Sequence, residues 1–300
     1  MADRAPASTL RALVAGLVDY AGLFPPAASS MAAAVAAYAS YRDAPESWML
    51  GRFVVPVARL DEMADAASHL GAVARIDPWR IAMLPAEDLP DALRCLQDFN
   101  VAHRGRFCID VMECKVATPA DIERAARTIG DAATLYVEVP IADDPAPFLD
   151  VARAANVRAK VRTGGLTPEA FPSAAHLARF IVRCAQREVP FKATAGLHHP
   201  IRGEHRLTYE ADAARAPMFG FLNVFAAAAF ALGGLPEPAI VRLLEETDPS
   251  AFRFDDSALD WDGHLIDLDH LLEARASFAI AFGSCSFREP VDDLKELGLL

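Results

Sequence analysis

The sequence predicts an α/β fold, a (β/α)8 TIM barrel with a C-terminal appended helix and hairpin segment. Strand-like and helix-like runs alternate at regular spacing along most of the 300 residues, as in closed parallel barrels and open doubly wound sheets. No G-x-G-x-x-G motif follows the first candidate strand, which weakens the open, dinucleotide-binding alternative. We therefore expect a barrel over residues 1–235 and an extension over residues 236–300 that packs on the barrel.

The elements of the barrel can be assigned in order along the chain. Short apolar runs predict strands at residues 18–26, 52–57, 79–84, 106–114, 135–140, 159–165, 191–196 and 219–224. Helix-like runs between them predict helices at residues 31–44, 60–71, 88–99, 118–130, 145–155 and 168–188. The helix that follows Thr118 opens with a proline and an acidic residue, which are typical start signals. The last strand should run into a buried alanine-rich helix, and the extension should contain helices at residues 237–247 and 268–280 around a hairpin.

Composition excludes several classes of function. The net charge is −12, with 29 basic and 41 acidic residues, whereas a nucleic-acid-binding protein shows a basic patch or stripe. The apolar run at residues 221–234 is shorter than the roughly 20 residues that cross a bilayer, and the N-terminus lacks the pattern of a signal peptide. Five scattered cysteines form no CxxC pair, which argues against a disulfide framework or a structural zinc site. We expect a cytoplasmic protein with no nucleic-acid or membrane partner and no cofactor, while a homo-oligomer stays open.

Lysine is rare in this chain and concentrated at predicted strand ends. The 29 basic residues include only four lysines. In a barrel, functional side chains lie at or just after the carboxyl ends of the strands. Three of the four lysines lie at such positions. The polar residues found there are Asp110, Glu113, Lys115, Glu138, Lys160, Arg162, Thr163, Lys192, Thr194, His198 and His199.

Two of these lysines should share the barrel interior. Alternation puts Lys160 and Arg162 on one face of the sixth strand, and Lys192 and Thr194 on one face of the seventh. If both faces point inward, the two ammonium groups approach each other, which lowers the pKa of one. A neutral lysine amine attacks carbonyl carbon to form a Schiff base, whereas arginine stays protonated. The alternative is that both lysines form ordinary barrel ion pairs with Asp110 or Glu138.

Two motifs resemble those of a known family. "KVRTGG" at residues 160–165 resembles the Lys-x-x-Thr-Gly signature of deoxyribose-phosphate aldolase, a class I aldolase with a TIM barrel fold. "KATAGL" at residues 192–197 is similar to the Lys-Ala-[Ser/Thr]-x-Gly motif of the same family. Asp110, in "CIDVMEC", lies where that family has an aspartate on the fourth strand. The resemblance covers residues 107–197, and the two lysine motifs are its specific part.

The resemblance implies a lyase that acts through a lysine Schiff base. Lys160 would be the nucleophile, Lys192 would lower its pKa, and Asp110, or second to it Glu138, would transfer protons. Arg162 stands where the family has a small residue, and "FGFLNVFAAA" lacks the family's Gly- and Ser-rich phosphate turn, so we expect a different small carbonyl substrate. The residues assigned to substrate binding are Arg162, Thr163, Gly164, Gly165, Thr194, Gly196, His198 and His199.

Other hypotheses remain open from the sequence. His198 and His199, with carboxylates or Cys285, suggest a metal-assisted lyase, isomerase or hydrolase, but adjacent histidines seldom ligate one ion, so no metal ligand is assigned. A barrel that binds a partner without catalysis is the third hypothesis. Cys285 is expected in a tight structural turn, since nothing in the sequence indicates a lowered thiol pKa. Asp19, in the first predicted strand, fits buried hydrogen bonding as well as catalysis.

Overall fold

The predicted closed barrel is present. The computed structural model describes residues 5–70 and 77–300, and within them eight parallel strands form a closed barrel. Helices alternate with the strands, and a C-terminal segment adds a small antiparallel sheet. The chain is therefore a (β/α)8 barrel with an appended C-terminal segment, as the sequence predicts. The last residue of the helix expected at residues 60–71 lies outside the described residues.

Thirteen strands are assigned within the described residues. The first seven barrel strands follow chain order, and the thirteenth closes the barrel between the seventh and the first. The eighth and ninth form an antiparallel hairpin, and the tenth to twelfth form the separate three-stranded sheet. Their bounds are β1 Val18–Tyr20, β2 Leu50–Pro56, β3 Trp79–Leu84, β4 Phe107–Lys115, β5 Thr134–Glu138, β6 Arg158–Arg162, β7 Phe191–Thr194, β8 Gly203–Arg206, β9 Arg215–Met218, β10 Phe252–Phe254, β11 Ala258–Trp261, β12 His264–Asp267 and β13 Ala279–Ser284.

Eleven α-helices are assigned in the same part of the chain. Several begin as local sequence dictates: the side chains of Ser30, Asp88 and Ser173 accept hydrogen bonds from free backbone N–H groups in the first turn. Thr118 and Asp121 form a capping box. The bounds are α1 Ser8–Val14, α2 Met31–Asp43, α3 Leu60–His69, α4 Leu89–Ala102, α5 Pro119–Ile129, α6 Ala146–Ala154, α7 Ala174–Gln186, α8 Phe221–Leu232, α9 Glu237–Glu245, α10 Leu268–Ser277 and α11 Arg288–Glu296.

The predicted eighth strand at residues 219–224 is wrong. These residues lead into α8, a helix that is apolar on every side and almost wholly buried, which suits a helix enclosed by neighbours. The strand that closes the barrel is β13, which pairs with β7 and β1. Since β13 lies inside the segment 236–300, the expected barrel boundary at residue 235 is also too early. No helix in the described ranges is long and apolar enough to span a bilayer.

The core has two parts with different composition. A large apolar cluster fills the space between the barrel wall and the surrounding helices. The barrel interior holds a much smaller cluster of Val54, Ala82, Val111 and Tyr136. Charged side chains complete that interior, because Asp19, Glu113, Lys160 and Lys192 are all buried. Buried charges require partners, so their pairing defines the centre of the molecule.

Candidate active site

A large cavity opens at the carboxyl ends of the barrel strands. Its volume is about 1220 Å³, and its floor includes Glu113, Glu138, Lys160 and Lys192. The loop after β1, the β8–β9 hairpin and the start of α11 also line it. The hairpin is fixed at this position because Leu207, Ala216 and Met218 pack with Phe171 from the loop after β6. The cavity therefore lies where barrel enzymes place their chemistry.

Glu113 bridges the two predicted lysines. Its Oε2 atom accepts a hydrogen bond from Lys160 Nζ at 3.1 Å, and its Oε1 atom accepts one from Lys192 Nζ at 2.5 Å. Lys160 and Lys192 face each other in the register of β6 and β7. One carboxylate thus lies between two ammonium groups that adjacent strands bring together.

Each lysine has a second carboxylate. Asp19 Oδ2 lies 2.5 Å from Lys192 Nζ, and Glu138 Oε2 lies 3.0 Å from Lys160 Nζ. Asp19 is held in place by a hydrogen bond from the backbone N–H of Arg52 to its Oδ1 atom at 2.6 Å. The ring of Tyr136 lies beneath Lys192, with its centroid 5.6 Å from Nζ, a distance suited to a cation–π contact. We call Asp19, Glu113, Glu138, Lys160 and Lys192 the lysine–carboxylate network.

The electrostatics of the network keep Glu113 and Lys192 ionised. Burial disfavours the charged form of Glu113, yet Lys192 and Lys160 hold its pKa at about 2. Burial likewise opposes ionisation of Lys192, but the charges of Asp19 and Glu113 raise its pKa above the ordinary lysine value. From the sequence, we expect the two ammonium groups to approach each other and Lys192 to lower the pKa of Lys160. The two groups do converge, but the Glu113 carboxylate lies between them and compensates their charge.

Glu138 and Arg162 border the network on its open side. Burial raises the pKa of Glu138, but Lys160 and Arg162 together bring it below its usual range. Arg162 Nε donates to Glu138 Oε1 at 3.2 Å, and the Arg162 side chain is 45% exposed. The second oxygen, Glu138 Oε2, is buried and close to Lys160 Nζ but is not aligned for a hydrogen bond. Glu138 therefore offers an oxygen with spare acceptor capacity directly beside the Lys160 amine.

Asp110 does not join the other predicted catalytic residues. Arg52 binds it through two hydrogen bonds of 2.7 and 2.8 Å, and Arg80 binds the same carboxylate. It lies three residues earlier on β4 than Glu113 and is not among the cavity-lining residues. Burial raises the pKa of Asp110, but these two arginines lower it overall. The fourth-strand residue that reaches the lysines is Glu113.

The predicted substrate-binding residues divide into two groups. Arg162, Gly165, Thr194, Gly196, His198 and His199 line the cavity. Thr163 is fully buried and donates from Oγ1 to the backbone oxygen of Ala195 at 2.5 Å, so it joins the ends of β6 and β7. Gly164 is also packed against the neighbouring backbone, since an added Cβ would lie 2.8 Å from Gly196 Cα. The Thr-Gly part of the first motif therefore holds two strand ends together.

His198 and His199 each bind a carboxylate of α11. His198 Nδ1 lies 2.9 Å from Glu289 Oε2, and His199 Nδ1 lies 2.6 Å from Asp293 Oδ2. Burial opposes ionisation of Glu289, but its hydrogen bond with His198 lowers the pKa overall. The two histidines diverge toward carboxylates one helical turn apart. Within residues 5–70 and 77–300, no three ligating side chains are grouped so that they could hold a metal ion.

Two cavity residues extend the chain of contacts from Glu289. Tyr209 Oη donates to Glu289 Oε2 at 3.2 Å and lies 3.6 Å from Cys285 Sγ. Burial raises the pKa of the Cys285 thiol, so this cysteine is a poor nucleophile. The expectation of a structural turn at Cys285 agrees with this. Sequence reasoning assigned no role to Tyr209, Glu289 or Asp293, because the interaction joins segments about 90 residues apart in the chain.

The network predicts an acid-sensitive fold. Folding lowers the pKa of Glu113 from 4.5 to about 2, so its ionised form stabilises the native state above pH 4.5. That contribution should decline as the pH falls from 4.5 toward 2, because the unfolded chain binds the proton first. Urea unfolding followed by circular dichroism at pH 6, 4 and 3 should show a steadily falling midpoint. The Glu113→Gln variant should have a flatter profile, and equal slopes for both proteins would contradict the prediction.

Comparisons with known proteins identify no relative. No family model, no curated protein and no solved structure matches the chain.

Proposed function

We propose that this protein is a lyase of the class I aldolase type, which binds a small carbonyl compound as a Schiff base on Lys160. The observation that carries the proposal is the convergence of two buried lysines on one carboxylate at the floor of an open cavity. The resemblance of the two lysine motifs to deoxyribose-phosphate aldolase points to the same chemistry. A barrel fold alone is compatible with many reactions. The support for Schiff-base chemistry therefore comes from the lysine–carboxylate network.

Lys160 is the better nucleophile of the two lysines. Lys192 is held at 2.5 Å by both Asp19 and Glu113, and its pKa is raised. Lys160 has longer contacts of 3.0 and 3.1 Å with its carboxylates, at the cavity floor. In the proposed reaction, the Lys160 ammonium group transfers a proton to Glu138 Oε2, and the neutral amine attacks the carbonyl carbon of the substrate.

Formation of the iminium then requires loss of water. Glu138 relays two protons to the oxygen of the tetrahedral adduct, the one taken from the ammonium group and a second one from the adduct nitrogen. The oxygen then leaves as water while the nitrogen lone pair forms the C=N bond. The iminium accepts the electron pair of the neighbouring C–C bond when that bond breaks. Lys192 stays charged throughout and holds Glu113 in place. Arg162, with its partly exposed guanidinium, would bind an anionic group of the substrate.

The proposal is tested by borohydride trapping. Wild-type protein would be incubated with acetone, pyruvate, hydroxyacetone and glycolaldehyde, reduced, digested and analysed by peptide mass spectrometry. We expect a reduced adduct on the peptide that contains Lys160, because reduction fixes the Schiff base as a secondary amine. Lys115 serves as an internal control, since it lines the same cavity but is exposed and has no ion pair with the described residues. Equal labelling of Lys115 and Lys160 would indicate non-specific modification and count against the proposal.

A further inference from the structure

The proposed lyase reaction leaves one role without a residue. After the Schiff base forms, a base must remove a proton from the substrate carbon next to the iminium, or from its hydroxyl group. Glu138 is paired with Lys160 and Arg162. Glu113 and Asp19 are paired with Lys192. The second group of titratable side chains in the cavity is the one around His198 and Glu289.

The geometry of His198 and Glu289 is that of an oriented base. Glu289 is a hydrogen-bond acceptor only, since its pKa is lowered and it stays ionised. His198 Nδ1 must therefore carry the hydrogen that bonds to Glu289 Oε2 at 2.9 Å. When the ring is neutral, this tautomer has its lone pair on Nε2. Tyr209, which also donates to Glu289 Oε2 at 3.2 Å, further fixes the carboxylate.

The free nitrogen of His198 is accessible. Nε2 makes no hydrogen bond with the described residues, and it is not one of the buried polar atoms without a partner. The ring lines the cavity, and its side chain is 13% exposed. His198 follows β7, the strand that neighbours Lys160 on β6. His198 therefore lines the same cavity as Lys160, with its Nε2 atom free of hydrogen bonds to the described residues.

The adjacent histidine differs in two respects. His199 binds Asp293, which is not among the cavity-lining residues, whereas Glu289 lines the cavity. The ring of His199 stacks on His205 with a centroid distance of 3.5 Å, so one of its faces is covered. His199 is therefore a close comparison for His198, with the same kind of carboxylate contact in a different setting.

We propose that His198 is the general base of the cavity, that Glu289 positions it, and that it transfers the carbon-bound proton next to the substrate carbonyl. His198 Nε2 takes the proton from that carbon. The C–H electron pair becomes the C=C bond of an enamine, and the C=N electron pair moves to the Lys160 nitrogen. Return of a proton from His198 to carbon reverses the step. In D2O the returned proton is a deuteron, so the step exchanges hydrogen without any net reaction.

The test measures this exchange. Wild-type protein would be incubated in D2O with acetone, pyruvate and hydroxyacetone, and loss of the signals of protons next to the carbonyl would be followed by proton NMR. We expect exchange to fall by about 100-fold or more in His198→Gln, in line with the contribution of general bases. Borohydride trapping on Lys160 should persist in this variant, because imine formation uses Glu138. The exchange rate of His199→Gln should stay at least about tenfold higher than that of His198→Gln.

Glu289→Gln tests the positioning role and replaces His198→Gln if that variant does not fold. Loss of the carboxylate should lower the exchange rate while trapping on Lys160 persists, and Glu289→Asp, which keeps a carboxylate, should restore part of the exchange. Exchange in Glu289→Asp no faster than in Glu289→Gln would contradict the positioning role. Exchange at the wild-type rate in His198→Gln, or an equal loss in His199→Gln, would overturn the inference.

The inference rests on the proposed function for its substrate, but the two can fail separately. Trapping on Lys160 without any exchange in the wild-type protein would overturn the role of His198 and leave the Schiff base in place. Exchange that depends on His198 without trapping on any lysine would overturn the Schiff base and support His198 as base. Absence of both would overturn both.

Discussion

Replacement of Lys160 by arginine should abolish catalysis while the fold persists. The guanidinium keeps the positive charge that Glu113 and Glu138 require at 3.1 and 3.0 Å, but it has no neutral form that can attack a carbonyl. We expect turnover of any carbonyl compound that labels the wild-type protein to fall by about 10³-fold or more, as when other covalent nucleophiles are removed. The measurements are borohydride trapping and turnover of that compound, with urea unfolding to confirm the fold.

Lys115→Arg is the matched control for this variant. Lys115 is the residue of β4 that is exposed at the cavity edge, and arginine there changes the same functional group without touching the network. Trapping and turnover should stay at the wild-type level in Lys115→Arg. Turnover in Lys160→Arg within tenfold of wild type would contradict the proposed nucleophile.

Glu113→Gln should be the most destabilising single polar change in the barrel interior. The amide keeps the size of the side chain but removes the charge between two buried ammonium groups, whose side chains are 7% and 2% exposed. Removal of one partner from a buried charge network lowers the free energy of unfolding by about 3–5 kcal/mol. The measurement is urea-induced unfolding at pH 7, with the midpoint and slope fitted together.

A second substitution separates charge from packing. In Glu113→Gln, the Lys160 and Lys192 ammonium groups lose the carboxylate that they share. Lys192→Met removes one of these two ammonium groups. We expect the double variant to be less destabilised than the sum of the single variants, because contacting charges are coupled by about 0.5–3 kcal/mol. Glu123→Gln, which breaks an exposed pair with Arg127 at 3.5 Å, should leave the unfolding midpoint nearly unchanged. A Glu113→Gln midpoint equal to that of Glu123→Gln would disprove the structural role of the network.

Local pattern predicts most of this fold. Seven of the barrel strands lie where short apolar runs place them, and Thr118 marks the start of α5 as expected. The eighth strand was misplaced because residues 219–224 and Ala279–Ser284 are both short apolar runs, and periodicity cannot separate a buried strand from a buried helix. The choice depends on which run can pair with β1 and β7, which is a property of the closed barrel.

The site shows the same division between local and long-range information. Alternation along β6 and β7 placed Lys160 and Lys192 on one inner face, and the structure confirms that they converge. The carboxylates that accompany them come from β1 and β4, and no local rule ranks Asp19 or Glu113 above Asp110. Two arginines from β2 and β3 engage Asp110, whereas Glu113, three residues on, reaches the lysines.

The sequence alone determined the barrel class and the two lysines, because strand periodicity and residue type are local properties of the chain. Only the tertiary structure decided the closing strand, the bridging role of Glu113 and the contact of His198 with Glu289. These features depend on side chains from strands and loops that lie far apart in sequence and meet only when the barrel closes. Their energies also depend on burial, which turns an ordinary glutamate into the centre of a charged network inside the barrel.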